Sequence, residues 1–474
     1  MLKKPYNTAP MLFKISIENF GKITKADIRI GDFTVFAGKN GTGKSYVSKA
    51  MYSLFGAMHA NHLAVVLNPH LLLISRALSP LEEAFGEEEI EEMDALVDMR
   101  HAVDNLYNIT RQVYERDDVD EFDAIKEALP DIHKFLDRVA IIFPRLENEM
   151  ASAEDHPNMM FLGISTKRTI GNIKEAVSEL TKIKSFEPEM FVKEGVRHEI
   201  EENFLRNFQI HQTSSLRGEM DMLARLDVDK IGAEVEIGED IGWRVEKSGL
   251  RLMQKYSRVL YLESPIFWRL KDALDNAGVT SLHGRNPITG VPKYYYDMSF
   301  ALRQSYPGNS ICPDILERLT GDSVLGGRVA VGESGNLFFQ SNKGKKYPLH
   351  MAATGIANLG MLALLIEKNL LDENTFLFID EPEAHLHPAW QVEMAEALFA
   401  LSREGVKVVI ATHSAEILKW LEVEVNTPEL QEMVALNHFI HGAVQTNGVQ
   451  FDEKLSTMQK DLAEPYYKLY YKGL

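Results

Sequence analysis

Residues 36–56, FAGKNGTGKSYVSKAMYSLFG, set glycines at 38, 41 and 43 between an apolar run and a stretch with helical spacing. From Gly38 to Ser45 the pattern is Gly-x-x-x-x-Gly-Lys-Ser. Phe33-Thr34-Val35-Phe36-Ala37 reads as a buried strand, and Tyr46 to Met58 carries apolar residues at helical spacing. A strand, a glycine turn and a helix together form the context of a phosphate-binding loop. Glycines let successive backbone N–H groups turn toward one anion, and the helix N-terminus adds partial positive charge. The expected cradle is Gly38, Lys39, Asn40, Gly41, Thr42, Gly43, Lys44, Ser45 and Tyr46. Lys44 is expected to reach the β- and γ-phosphates of ATP, and the Ser45 hydroxyl to ligate Mg²⁺.

A phosphate loop of this kind needs an acid-bearing strand as its counterpart. "TFLFIDEPEAHLHP", residues 375–388, supplies it. Phe376-Leu377-Phe378-Ile379 is a continuous apolar run, as in a strand covered on both faces. It ends in Asp380, expected to hold the metal, and Glu381, expected to polarise the attacking water. In "VKVVIATHSAEIL", residues 406–418, a second apolar strand ends in Thr412-His413-Ser414. Ligands of open parallel sheets sit at the carboxyl ends of the strands, so His413 is expected near the γ-phosphate.

Together "GKNGTGKS", "FLFIDEPEAHLHP" and "VVIATHS" resemble the ABC-type ATPase heads of the RecF, SMC and OLD (overcoming-lysogenisation-defect) group. "EPEAHLHP" followed by "ATHS" is especially similar to bacterial OLD-like ATPases of the AAA family. The opening "FKISIENFGKITKADIRIGDFTVFAG" looks like that family's first strands. The resemblance implies an α/β head with a mixed sheet, ATP and Mg²⁺ as ligands, and dimers or higher homo-oligomers closing around nucleotide. It also implies a signature segment at a helix N-terminus that touches the ATP of a second subunit. "LHMAATGIANLGMLALLIEKN", residues 349–369, stands in that position, with Thr354-Gly355 where the family's usual Ser-Gly-Gly-Gln is absent. His385 and His387 fall in the loop that the family passes between two heads, and a zinc reading lacks further ligands. The family's metal-sensing glutamine has no counterpart after "RVLYLES", residues 258–264; Glu263 is the nearest candidate there.

The chain has 474 residues, room for two or three domains. It is 45% hydrophobic and 25% charged, an ordinary globular composition. No run reads as long enough to span a bilayer, residues 1–10 read as a disordered lead, and the single cysteine, Cys312, fits a reducing cytoplasm. A net charge of −18 opposes non-specific nucleic-acid binding. Much of the excess falls between Leu81 and Asp123, with 16 Asp/Glu and 3 Arg. That is either a solvated helical face or a docking surface for a basic partner.

Four regions are expected. Residues 1–58 form the first part of the head. Residues 59–231 form a helical insertion punctuated by Pro130, Pro144 and Pro157, with a mild basic stretch at Lys167, Arg168, Lys174, Lys182 and Lys184. Residues 232–440 complete the head, with hairpins at 233–247 and 326–349 and an aromatic cluster, Tyr294 to Tyr296, that reads as core or interface packing, with stacking on a base as the alternative. Residues 441–474 form an aromatic tail packing on the head or a neighbour. Some 60 residues after His413 are too few for the Toprim domain of OLD nucleases. The resemblance therefore points to ATPase subunits of phage-defence pairs, such as Septu PtuA and PARIS AriA, which work with a separate nuclease. The alternatives are a RecF- or SMC-like repair or chromosome-structure ATPase, and a slowly hydrolysing, nucleotide-gated scaffold.

Overall fold

A computed structural model describes residues 13–85, 93–116, 119–152, 165–220, 222–263, 265–271, 290–304, 306–445 and 450–472, with Ile90, Pro157, Asn158 and Leu274. Residues 1–10, part of the acidic stretch, Ser264 and residues 286–289 lie outside them. The chain divides into two compact units, Ala60–Ile200 and Met1–His59 with Glu201–Leu474.

The second of these is an α/β unit built on an eleven-stranded mixed sheet. In chain order its strands are β1 (Phe13–Phe20), β2 (Ile23–Ile30), β3 (Phe33–Ala37), β4 (Ala224–Val228), β5 (Ala233–Ile237), β6 (Ile241–Arg244) and β7 (Arg258–Leu262). A separate three-stranded sheet takes β8 (Gly327–Val331), β9 (Leu337–Ser341) and β10 (Lys346–Pro348). The main sheet is completed by β11 (Thr375–Asp380), β12 (Lys407–Thr412), β13 (Val434–Ile440) and β14 (Ala443–Gln445). Its order is β6-β5-β4-β1-β2-β14-β13-β3-β12-β11-β7. An antiparallel wing, β6 to β2, thus joins a parallel core, β13 to β7. Every residue of β3 and β11 is buried. Helices cover parallel strands on both faces, which is why these strands are apolar throughout instead of alternating.

Register in the parallel core decides where chemistry can occur. Thr412 lies beside Ala37, Asp380 beside Ala411, and Leu262 beside Ile379. The residues that follow these strand ends, Gly38, His413, Glu381 and Glu263, therefore leave the sheet along one edge. The helix Lys44–His59 starts at the same edge and buries Val47, Met51, Leu54, Phe55 and Met58.

The wing corrects one sequence expectation. Ala224–Val228, placed by the sequence reading in the helical insertion, is a sheet strand paired with β1, Ile15 opposite Val228. Its buried-exposed alternation, Ala224, Leu226 and Val228 in, Arg225 and Asp227 out, is the period-two signal of a half-buried strand. At five residues it is too short to stand out beside long helices. The two expected hairpins form as β5–β6 and β8–β9. Tyr294 and Tyr295 are buried in the helix Lys293–Arg303, so they are core and not a base-stacking surface. The closing helix Phe451–Lys472 packs on β13 and on the helix Ala415–Glu424.

The named elements of the Ala60–Ile200 unit are all helices: His62–Ala84, Asp94–Tyr114, Glu121–Ser152, Thr166–Ile183, and Pro188–Phe208, which carries the chain past Ile200. Pro130 and Pro144 do not punctuate; both lie inside the helix Glu121–Ser152. A proline inside a helix costs ~3 kcal/mol. The buried stripe of Phe122, Ile125, Ile132, Leu136, Val139, Ile142, Leu146 and Met150 offsets this, at ~1.5–3 kcal/mol per fully buried large side chain. The helix His62–Ala84 is long and apolar enough to cross a bilayer by length and composition, contrary to the sequence expectation. Leu63, Leu67, Leu71, Ile74, Leu78 and Leu81 form one buried stripe on it, while Leu72 and Leu73 are exposed. Acidic and basic stretches are partly neutralised inside this unit, through Arg100–Glu82, Arg145–Asp98, Arg116–Glu127, Lys182–Glu179 and Lys184–Asp137.

Candidate nucleotide site

The glycine loop turns between β3 and its helix as the pattern requires. Gly43 has φ +102°, and a Cβ there would lie 2.6 Å from Ile23 Cδ1. Gly41 has φ +75°, again in the left-handed region that favours glycine. Lys44 lies folded along the loop, its Nζ donating to the carbonyls of Gly38 (2.8 Å) and Lys39 (2.9 Å). Burial pushes this ammonium below the usual lysine range, while the charges of Asp380, Glu381 and Glu383 hold it up. The loop's cation thus faces three carboxylates before any phosphate arrives.

Asp380 ends β11 at 7% exposure. Burial pushes its carboxyl up to about 6, opposed by a hydrogen bond from Ser45 and reinforced by the charge of Glu263. Its Oδ1 is buried without a hydrogen-bond partner among the described residues. An orphaned carboxylate oxygen beside a serine hydroxyl fits a hard divalent cation. Among the described residues no group of three or more His, Cys, Asp or Glu could hold a metal. Mg²⁺ takes one or two protein oxygens and completes its shell with water and substrate phosphate, and Asp380 and Ser45 are the residues that would supply those oxygens. Mg²⁺ needs the ionised carboxylate, so protonation of Asp380 competes with it. In the presence of ATP, Mg²⁺ affinity should be flat above pH 7 and fall below about pH 6, by about tenfold per unit. Titration at several pH values, read against free MgATP, checks this. Asp380→Asn should bind weakly and lose the protein's share of the pH dependence.

Glu381 follows at φ +53°, a conformation that costs a non-glycine residue about 1–3 kcal/mol and recurs at functional sites. Its N–H donates to Ala411 O (2.8 Å), which ties the turn to the neighbouring strand. Its side chain is half exposed, with Oε1 3.8 Å from Nδ1 of His413. His413 thus stands beside the Asp-Glu pair.

Glu383, two residues on, went unnoticed in the sequence. It is buried, and its Oε1 accepts from Thr412 Oγ1 (2.8 Å) and from the backbone N–H of His413 (2.7 Å). The same oxygen lies 3.2 Å from His413 Nδ1. Burial pushes the Glu383 carboxyl up, and the bonds from His413 and Thr412 pull it back. Lys49, one helical turn after Ser45, pairs with Glu263 Oε1 (2.8 Å), while the Tyr294 hydroxyl donates to Glu263 Oε2. Burial and the Glu263 charge push that hydroxyl far above the usual tyrosine range. Lys49, Glu263 and Tyr294, with Ser45, Tyr46, Asn207 and Phe208, line a cavity of about 330 Å³. The i, i+4 spacing of Ser45 and Lys49 was a usable signal; the meeting of Glu263 with Asp380 was not, because it depends on β7 pairing with β11.

Thr354 and Gly355 open the helix Thr354–Glu367. Thr354 Oγ1 accepts from Arg269 Nη1 (3.1 Å). A Cβ on Gly355 would lie 2.8 Å from His385 O, and Asn358 Nδ2 donates to Pro382 O (3.1 Å) and Ala384 O (3.0 Å). The segment thus braces the loop after Asp380. Within this subunit it is not joined to the glycine loop by any described hydrogen bond. His387 caps the helix Pro388–Arg403 through Nδ1, accepting from Ala389 N, which is a structural use. Tyr46 rests against Phe20 and Phe208. Lys39 is gripped by Asp461 (2.9 Å) and Glu464 of the closing helix, and Asp461 also meets His438 (3.3 Å).

A family model described as AAA ATPase domain matches residues 11–75 and 310–418, covering the glycine loop, the Asp-Glu strand and His413. The Old nuclease of Escherichia phage P2 is 51% identical over 45 residues, which is 10% of this chain and 8% of that protein. The match thus spans a small part of that relative's length. The SMC head domain of Thermotoga maritima is 9% identical at a TM-score of 0.34, with 92% of this chain and 99% of that chain covered. The Smc head domain with a coiled coil and joint from Pyrococcus yayanosii is 12% identical at 0.33, with 95% and 99% covered. Scores this low leave the fold to rest on the sheet order and register above. The AAA ATPase domain is thus matched in two segments of the chain, and a 45-residue stretch is similar to the Old nuclease.

Proposed function

We propose that the chain binds ATP with Mg²⁺, hydrolyses it, self-associates around the nucleotide, and through its ATP state controls a separately encoded effector, a nuclease, in antiviral defence. The observation that carries the hydrolytic part is the orphaned Asp380 oxygen beside Ser45, with Glu381 and His413 3.8 Å apart at the next position along the same sheet edge. Mg²⁺ supplies electrostatic stabilisation of the phosphates when bound. The chain's own groups do the rest. Backbone N–H groups of residues 38–46 bind the phosphates, and Lys44 exchanges its two loop carbonyls for phosphate oxygens. Glu381 orients water and accepts its proton, and His413 holds the outgoing phosphoryl group's position.

Self-association is supported by Thr354 and Gly355, which brace the loop after Asp380 but make no described hydrogen bond to their own glycine loop. A second subunit's nucleotide is the ligand this helix N-terminus suits. Met351, just before it, is 68% exposed. The effector reading rests on the Ala60–Ile200 unit, a long insertion in a compact head, and on its acidic stretch, which suits a basic partner. A cytoplasmic location follows from the same reading. Purification with the products of neighbouring genes, followed by native mass measurement with and without ATP, tests it. The expected result is a homo-oligomer carrying a second protein whose association depends on ATP. A chain that purifies alone, with turnover stimulated by DNA, would instead favour a RecF-like repair ATPase.

A further inference from the structure

Glu383 is a buried carboxylate whose ionised form is costly without compensation. Its surroundings hold no lysine or arginine ion pair among the described residues, and Oε2 has no hydrogen-bond partner there. Oε1 faces the turn from β12 into the helix Ala415–Glu424. Oε1 accepts from the Thr412 hydroxyl and the His413 backbone N–H, and lies 3.2 Å from His413 Nδ1. Thr412 Oγ1 in turn accepts from Ser414 N (3.0 Å), and Ser414 Oγ caps the helix by accepting from Ile417 N (3.0 Å). Ser414 Oγ also donates to Gln391 Oε1 (2.6 Å).

We infer that Glu383 is a positioning residue for His413. It fixes the ring tautomer with the proton on Nδ1 and so presents Nε2 to the reacting phosphate and water. The reason is chemical. A carboxylate oxygen carries lone pairs and no proton, so at 3.2 Å it favours a proton, and disfavours a second lone pair, on the facing ring nitrogen. Glu381 cannot do this in its place: its Oε1 is 3.8 Å from the same nitrogen, beyond hydrogen-bond range. The two glutamates of Glu381-Pro382-Glu383 thus divide the labour, one toward water and one toward the histidine that faces it. The inference deepens the hydrolytic reading and rests on it for its kinetic consequences, but not for the tautomer itself.

Two measurements test it. The first uses the full chain labelled with ¹⁵N-histidine; the ring signal that disappears in His413→Ala belongs to His413. That signal should report Nδ1–H in the native chain and in Glu383→Gln, which keeps an acceptor oxygen, and should shift toward Nε2–H in Glu383→Ala. An unchanged tautomer in Glu383→Ala overturns the inference whether or not the chain hydrolyses ATP. The second is a double-mutant cycle in steady-state ATP turnover. Glu383→Ala should lower kcat by about 10–100-fold with KM for ATP little changed, the size of effect that misplacing a reacting group produces. Glu383→Gln should stay within a few-fold of the native chain. In a His413→Ala background Glu383→Ala should cost almost nothing more. Full additivity would mean that Glu383 only supports the fold, and would overturn the inference while leaving ATP hydrolysis standing. Absence of turnover in the native chain would overturn the hydrolytic reading and leave the tautomer measurement to decide this one.

Discussion

Glu381→Gln should keep ATP and lose its hydrolysis. The substitution preserves size and leaves the turn intact, since the backbone N–H to Ala411 O (2.8 Å) is untouched. It removes only the negative oxygen that can orient a water and take its proton. General-base contributions amount to ~10²–10⁴-fold, so phosphate release should fall by that factor, with ATP affinity unchanged or raised. It should be raised because the Glu381 charge is one of three that face Lys44, and neutralising it reduces the repulsion an incoming triphosphate meets. Subunits joined around ATP would then accumulate, and light scattering after ATP addition should register larger particles in the mutant than in the native chain. Hydrolysis at the native rate would remove Glu381 from the reaction and leave His413 without its water-side partner. The backbone offers a second check: at φ +53°, Glu381→Gly should relieve strain and stabilise the fold while abolishing turnover, which separates the residue's stability cost from its chemistry.

The parts of this site that could be read in the sequence are those whose physics is local. Gly41 and Gly43 announce positive φ, and Lys44-Ser45 follow on one helix start. Phe376–Ile379 and Val408–Ala411 announce two-faced burial before polar ends. What stayed hidden depends on pairings made across the chain. Glu263 stands beside Asp380 only because β7 and β11 are neighbours in register. Glu383 reads as one more acid in "DEPEAH" until the fold brings Thr412 and His413 onto its Oε1. Lys39 reads as a loop residue, yet its ammonium is held by Asp461 and Glu464, far along the chain. Two misreadings were energetic. The short strand Ala224–Val228 owes its existence to pairing with β1. Pro130 and Pro144 stay inside a helix because its buried stripe outweighs their cost.

Lys44→Ala should abolish most ATP affinity, and the size of the loss follows from what surrounds the side chain. In the free loop the ammonium satisfies the carbonyls of Gly38 and Lys39. Around it stand Asp380, Glu381 and Glu383, all of which favour its charged form. A triphosphate entering this edge brings more negative charge, and Lys44 is the side chain placed to offset both. Its removal forfeits hydrogen bonds to charged groups worth about 1.5–3 kcal/mol each. With two such bonds lost, affinity should drop by roughly 10²–10⁴-fold. The loop also loses its internal brace, so a mutant that merely unfolded the loop could imitate the effect. Lys44→Met separates the two, because it retains the aliphatic stem and much of the packing while lacking the charge. Both variants should melt near the native chain when no nucleotide is present. Neither should gain the stabilisation that ATP gives the native protein, which rises with ligand concentration over its dissociation constant. Equilibrium binding of a labelled ATP analogue then reads the loss directly. Undiminished affinity in either folded mutant would mean that phosphate is not held at Gly38–Ser45, and the hydrolytic roles assigned to Asp380, Glu381 and His413 would lose the substrate they depend on.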